Sequence, residues 1–116
     1  MAVYSANIVI EQGFDYNNIF VLGDTRTDTA LNITGYGVTS QLRKSSSSSS
    51  YVSFASTIID GEVGAIQISL SDGQTLSLKP GRYVYDIMLE VGGLDSGGAK
   101  YKAVEGMALV RPGVTR

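Results

Sequence analysis

The side chains that could do chemistry in this chain are few. Residues 92–100 read Gly-Gly-Leu-Asp-Ser-Gly-Gly-Ala-Lys, with the glycine density of a phosphate-binding loop. Five positions on from Gly93 comes Gly98, but Ala99 stands where the required lysine should be, and no Ser or Thr follows. The stretch also joins two strand-like runs, so it is expected to be a hairpin loop. Asp24, Asp28 and Asn32 offer oxygen ligands, but a spacing of four fits no calcium loop frame, and Ca²⁺ takes about six or more oxygens. Residues 45–50 are six consecutive serines beside Lys44. A serine nucleophile needs a base, and a mobile loop cannot preorganise a Ser–Lys pair. Asp86 and Glu90 share one side of a strand-like run, where two carboxylates read as a solvated face. Asn32-Ile33-Thr34 fits the glycosylation pattern, but no secretory signal accompanies it. The chain has no His, no Cys and no Trp. It therefore lacks the commonest general base, any thiolate ligand and any disulfide. The expectation is a protein with no catalytic residues, no cofactor and no metal.

The elements that would position these side chains are strands. In residues 82–91, Tyr83, Tyr85, Ile87, Leu89 and Val91 fall on one side and Arg82, Asp86 and Glu90 on the other. A period of two marks a strand with one buried face. Pro80 cannot pair as a central strand residue and Gly81 tolerates a positive φ, so the chain turns there and then enters the strand. Leu78, Pro80, Gly81, Tyr83 and Tyr85 form the expected structural corner. It resembles a tyrosine corner, in which a hydroxyl bonds to backbone a few residues upstream; either tyrosine could serve.

Other runs follow the same grammar. Residues 7–11 are a first short strand and residues 14–22 a second; the two form a hairpin through Gly13 or lie in different sheets. Residues 23–34 are a polar loop, closed by Leu31 and Ile33. Residues 36–43 alternate, with Tyr36, Val38, Ser40 and Leu42 inward. Residues 44–51 form a flexible Ser-rich loop. Residues 51–59 are the next strand, with Val52, Phe54, Ser56 and Ile58 on one face. Asp60-Gly61 is a hairpin signal and Gly64 a candidate bulge. Ile66, Ile68 and Leu70 point in, Gln67 and Ser69 out. Ser71 can cap one helical turn, which delivers Leu76 and Leu78 to the corner. Residues 100–110 are the last strand, interrupted by Gly106 at a bulge or a close backbone approach.

The count, about seven strands separated by turn signals, predicts an all-β, immunoglobulin-like antiparallel β-sandwich. The 116 residues are enough for one domain, and 43% hydrophobic content gives it a core. The net charge of −2, with scattered Lys and Arg, argues against nucleic acid as a partner. The first residues carry no signal peptide, and no run is long enough for a transmembrane helix.

Three segments carry a resemblance: residues 33–44 (Ile-Thr-Gly-Tyr-Gly-Val-Thr-Ser-Gln-Leu-Arg-Lys), residues 76–87 with Leu78, Pro80, Gly81, Tyr83, Tyr85 and Asp86, and Val104-Glu105-Gly106 with residues 110–116. The chain resembles the small virion structural proteins of contractile-tailed bacteriophages of marine cyanobacteria. More distantly, it is similar to the N-terminal domain of phage baseplate upper proteins. The likeness covers most of the chain from Asn32 onward. Full-length baseplate members continue into stalk and receptor-binding regions, whereas this sequence runs to Arg116, so head, neck, tail and baseplate are all open as locations.

The resemblance implies a non-enzymatic virion component, made in the host cytoplasm and acting by contacts with other virion proteins and with copies of itself, with no nucleic acid or membrane partner. The candidate contact segments are the terminal ones: Ala6, Ile8 and Ile10 at one end, Arg111, Val114 and Arg116 at the other. Terminal segments can reach a neighbour without disturbing a core. The competing expectation is a carbohydrate-binding sandwich used in host-surface attachment; the absence of Trp weighs against it.

Overall fold

A computed structural model describes residues 4–24 and 29–114. The strands are β1 (Tyr4–Ser5), β2 (Ile8–Glu11), β3 (Tyr16–Val21), β4 (Gly23–Asp24), β5 (Thr29–Ala30), β6 (Gly37–Arg43), β7 (Val52–Ser53), β8 (Ala55–Asp60), β9 (Ala65–Leu70), β10 (Gly81–Glu90) and β11 (Lys100–Arg111). One short helix, α1 (Asp72–Leu76), precedes β10. Seven strands have four residues or more, and they build two packed sheets. The larger sheet runs β1-β11-β10-β6-β7, with β2 also on β11; the smaller runs β3-β9-β8. The fold is an all-β sandwich.

Alternation explains which side of each strand is buried. Val38, Ser40 and Leu42 of β6, Ile66, Ile68 and Leu70 of β9, and Tyr85, Ile87 and Leu89 of β10 all point between the sheets. Each fully buried Ile or Leu contributes about 1.5–3 kcal/mol relative to exposure. Ser40 can be buried because its hydroxyl donates to the Asp86 carbonyl at 2.7 Å. Phe54 joins the sheets, with its ring edge-on to Tyr85 at 6.2 Å and tilted to Tyr16 at 6.1 Å.

Several expectations change. The sheets are not wholly antiparallel: β1 and β2 run parallel to β11, pairing Tyr4 with Val104 and Ile8 with Ala108. Of the two arrangements open for the first strands, the structure has β2 and β3 in different sheets, with Gly13 turning the chain at φ +86°. The run 51–59 is not one strand. It leaves the large sheet after β7 and enters the small one at β8, and Phe54 is the crossing point. Leu76 is exposed, because α1 turns that side of its single turn outward. Ser71 does cap α1, its Oγ accepting from the Gln74 N–H while the Gln74 side chain accepts from the Ser71 N–H. Gly106 is a close approach and not a bulge: a Cβ there would collide with the Ala6 carbonyl. The irregularity in β11 lies where Ile87 and Met88 pair with Val104 and Lys102, which leaves Ala103 unpaired and lets it bury beside Val104.

Candidate interaction surfaces

The corner before β10 is assembled as its residue types require. Leu78 is buried, Pro80 is exposed, and Gly81 sits at φ +146°, a conformation L side chains rarely adopt. The Tyr83 hydroxyl donates to the Lys79 carbonyl at 2.8 Å, four residues upstream, which is the tyrosine-corner bond. Tyr85 does something else. Its hydroxyl reaches into the core side and donates to the Ala6 carbonyl, tying β10 to the bend between β1 and β2. Burial, helped by the neighbouring Tyr16 phenol, pushes the Tyr85 phenol up to about 12. Burial also raises Tyr16, and its hydrogen bond with Asn18 opposes that.

The amino-terminal contact candidates need correction. Ile8 and Ile10 are core residues, at 6% and 0% exposure, because β2 lays its inward side chains under the large sheet. Ala6 is bound on both sides: its N–H donates to the Glu105 carbonyl and its carbonyl accepts from Tyr85. These side chains are therefore not free to meet a neighbour. At the other end, Arg111 pairs with Glu11 at 3.4 Å across β2 and β11, with both side chains largely in solvent. Val114 is 95% exposed. Arg116 lies outside the described residues, as does Asp28. Among the described residues, no three acidic groups gather as metal ligands, and Asn32 Oδ1 accepts from the Thr34 N–H in a local turn.

Glu90 is the second correction. The alternation placed it on the solvated face, yet it is 2% exposed. Its two carboxylate oxygens accept from the N–H groups of Asp95 and Gly97 at 3.2 and 3.3 Å, so it braces the turn that leads into β11. A carboxylate directly before a glycine-rich loop is the signal that could have suggested this, since such loops present unpaired N–H groups.

The outer face of the large sheet is charged and hollowed. A groove of about 820 Å³ crosses it, lined among others by Gln41, Arg43, Lys44, Asp86, Lys102 and Glu105. Lys102 lies 3.7 Å from Asp86 and 3.3 Å from Glu105. These pairs are half-exposed and screened by water, so they contribute little to stability. Along one wall, the Arg43 guanidinium donates to the Ser48 carbonyl and to Gln41 Oε1 and lies 4.7 Å over the Tyr51 ring; Lys44 lies 4.7 Å over the Tyr83 ring. Within the serine run, the Ser48 N–H donates to the Ser45 carbonyl at 3.1 Å, forming a turn. A smaller hollow of about 290 Å³ beside the groove includes Thr39, Met88 and Tyr101.

The outer face of the small sheet is its opposite. Nothing between Tyr16 and Val21, 55 and 59, or Ala65 and Leu70 is charged. Asn17, Ile19 and Val21 stand outward on β3, with Ile19 at 54% and Val21 at 67% exposure, and Ile59 is exposed on β8. Gln67 Nε2 donates to Asn17 Oδ1 at 2.6 Å across the strands. No sequence motif pointed to this face; only sheet order gathers these residues.

The sequence matches no family model and no curated protein. Among solved structures it is similar to an internalin-like protein of Listeria monocytogenes, with a TM-score of 0.42 and 17% identity over 94% of this chain. The chain spans 30% of the length of that protein. A likeness at this level carries no argument about what the protein does.

Proposed function

We propose that this protein is a non-enzymatic structural component of a tailed-phage virion and works through protein–protein contacts. The observation that supports this reading best is the uncharged outer face of the small sheet, with Ile19, Val21 and Ile59 in solvent on a rigid frame. A face of this kind gains by being covered. The resemblance of residues 33–44 and 76–87 to small virion proteins supplies the assembly in which covering would occur. Mass spectrometry of purified particles is the test: the intact chain should be present at a fixed copy number, and its absence from particles would end the reading.

A second reading rests on the smaller hollow of the opposite face. Tyr101 is exposed there beside Gln41, Asp86 and Lys102. An exposed aromatic residue bordering a hollow lined by hydrogen-bonding side chains is an arrangement a sugar ring can use. If the protein is a carbohydrate-binding module, glycan binding should be measurable and Tyr101→Ala should remove it.

A further inference from the structure

Among the described residues, the edges of the two packed sheets are not equally protected, and β1 is only two residues long. Strand β7 is two residues long. Strand β2 is four residues long and ends in the Glu11–Arg111 ion pair. Strand β8 has an irregular register between Ile58 and Asp60 and ends on a charge. These are devices that blunt an edge. Strand β3 has none of them. It is six residues long, Tyr-Asn-Asn-Ile-Phe-Val, with no charge, no proline and an unbroken register against β9. Among the described residues it pairs with β9 alone. Every second residue therefore directs its N–H and C=O away from β9, toward a strand that is missing.

We infer that the β3 edge pairs with the β3 edge of a second copy, antiparallel about a two-fold axis, to make a continuous six-stranded sheet. The inference deepens the contact reading above and rests on it for its biological setting. Charge selects the occupant: a two-fold contact sets a surface against itself, so any charge on the strand would meet its own kind, and β3 has none. Pleating restricts the register. Directly opposed residues of an antiparallel pair share a sheet face, so the axis must pass through a residue and not between two. With the axis at Ile19, this residue meets the partner's Ile19, and Asn17 meets the partner's Val21 on the outer face. On the inner face Asn18 meets the partner's Phe20. Shifting the axis to Asn18 would place Ile19 against an amide and lose the apolar pair.

The nearest charges, Asp15 and Asp24, bracket the strand in sequence. One short edge buries less than the roughly 800 Å² per partner of a stable complex. The pairing is therefore weak for a single pair of copies and gains by repetition in an assembly.

The chain has no cysteine, so a cross-link can report the register. Ile19→Cys, mildly oxidised, should form a covalent dimer at least about tenfold faster than Val9→Cys, whose side chain is similarly exposed on the β2 edge. Ile19→Lys should leave folding intact and abolish self-association in sedimentation equilibrium, because two ammonium groups would meet on the axis. In the unmodified protein, the β3 amides that face away from β9 should exchange more slowly as concentration rises. A wild-type chain that stays monomeric up to about 1 mM, or Val9→Cys cross-linking first, overturns the inference. Self-association is read on the purified protein and incorporation on particles. A chain that dimerises but is absent from particles defeats the virion reading alone; one that enters particles as well after Ile19→Lys as before defeats the β3 edge as the contact used there.

Discussion

The two outer faces of this sandwich are built by the same alternation and differ in charge. On the large sheet, outward positions hold Arg43, Arg82, Asp86, Lys102 and Glu105 beside exposed Val9, Met107 and Leu109, and the Lys102 ammonium lies 3.3–3.7 Å from the Glu105 and Asp86 carboxylates. On the small sheet, outward positions hold Asn17, Ile19, Val21, Thr57, Ile59 and Gln67. Water solvates the charges of the first face. The second keeps branched aliphatic groups in water with no charge to repel a neighbour. The inner faces do not differ in this way, so the contrast does not come from folding. It marks the small sheet as the side that gains from being covered.

The contrast can be broken at its source by loosening the large sheet. Gly106→Val would drive a side chain into the Ala6 carbonyl and detach the β1–β2 bend, with the loss of the Tyr85, Glu105 and Asn7 hydrogen bonds held there. The expected cost is about 3 kcal/mol or more in urea unfolding, by the strain and burial mechanisms that give large single-residue effects. An unchanged midpoint would mean that the bend is not anchored at Gly106.

Glu90→Gln should cost about 1–3 kcal/mol, because an amide cannot accept at both of its ends while Asp95 and Gly97 each present an N–H. Exchange protection of those two amides should fall, while protection in the small sheet stays as it is. Loss of protection in both sheets together would show that the loop is not an independent unit.

Tyr85→Phe removes one hydrogen bond, worth about 1 kcal/mol, and also changes the alkaline limit. The Tyr85 phenol is raised from the ordinary 10 to about 12 in the fold. Unfolded chains ionise near 10, so its stabilisation is complete below pH 10 and is lost as pH rises from about 10 through about 12. In Tyr85→Phe the loss of stability across that window should be shallower, with Tyr16 contributing what remains. An identical alkaline profile in the two proteins would contradict the burial of this hydroxyl.

The smallest effects sharpen the comparison. Lys102→Ala on the charged face should change stability by less than about 0.5 kcal/mol, since its partners are half in water. Replacing Ser46 and Ser49 with Gly should be equally mild, because both are exposed. Ile19→Lys should be as mild for the monomer while it removes association. If Lys102→Ala also removed association, the charged face would be the contact, and the reading of the two faces would have to be exchanged.

Much of the sandwich follows from the chain alone. The alternation of Tyr85, Ile87 and Leu89, and of Ile66, Ile68 and Leu70, determines which side of each strand leaves water, because a period of two in hydrophobicity has only one such solution. Pro80 and Gly81 determine the corner, since one residue cannot pair and the other alone adopts φ +146° without strain. Ser71 and Gln74 determine the capped turn through bonds that span three residues. Pairing between distant strands is another matter. That β2 lies parallel to β11, that Phe54 crosses between sheets, and that Glu90 closes back on the Asp95 and Gly97 amides depend on contacts that no local pattern encodes. Backbone hydrogen bonds are chemically alike at every residue, so a strand does not name its neighbour. The order β3-β9-β8 leaves β3 at an edge and collects Ile19, Val21 and Ile59 on one uncharged face; only the folded chain decides that, because sheet order sets which backbone groups stay unpaired.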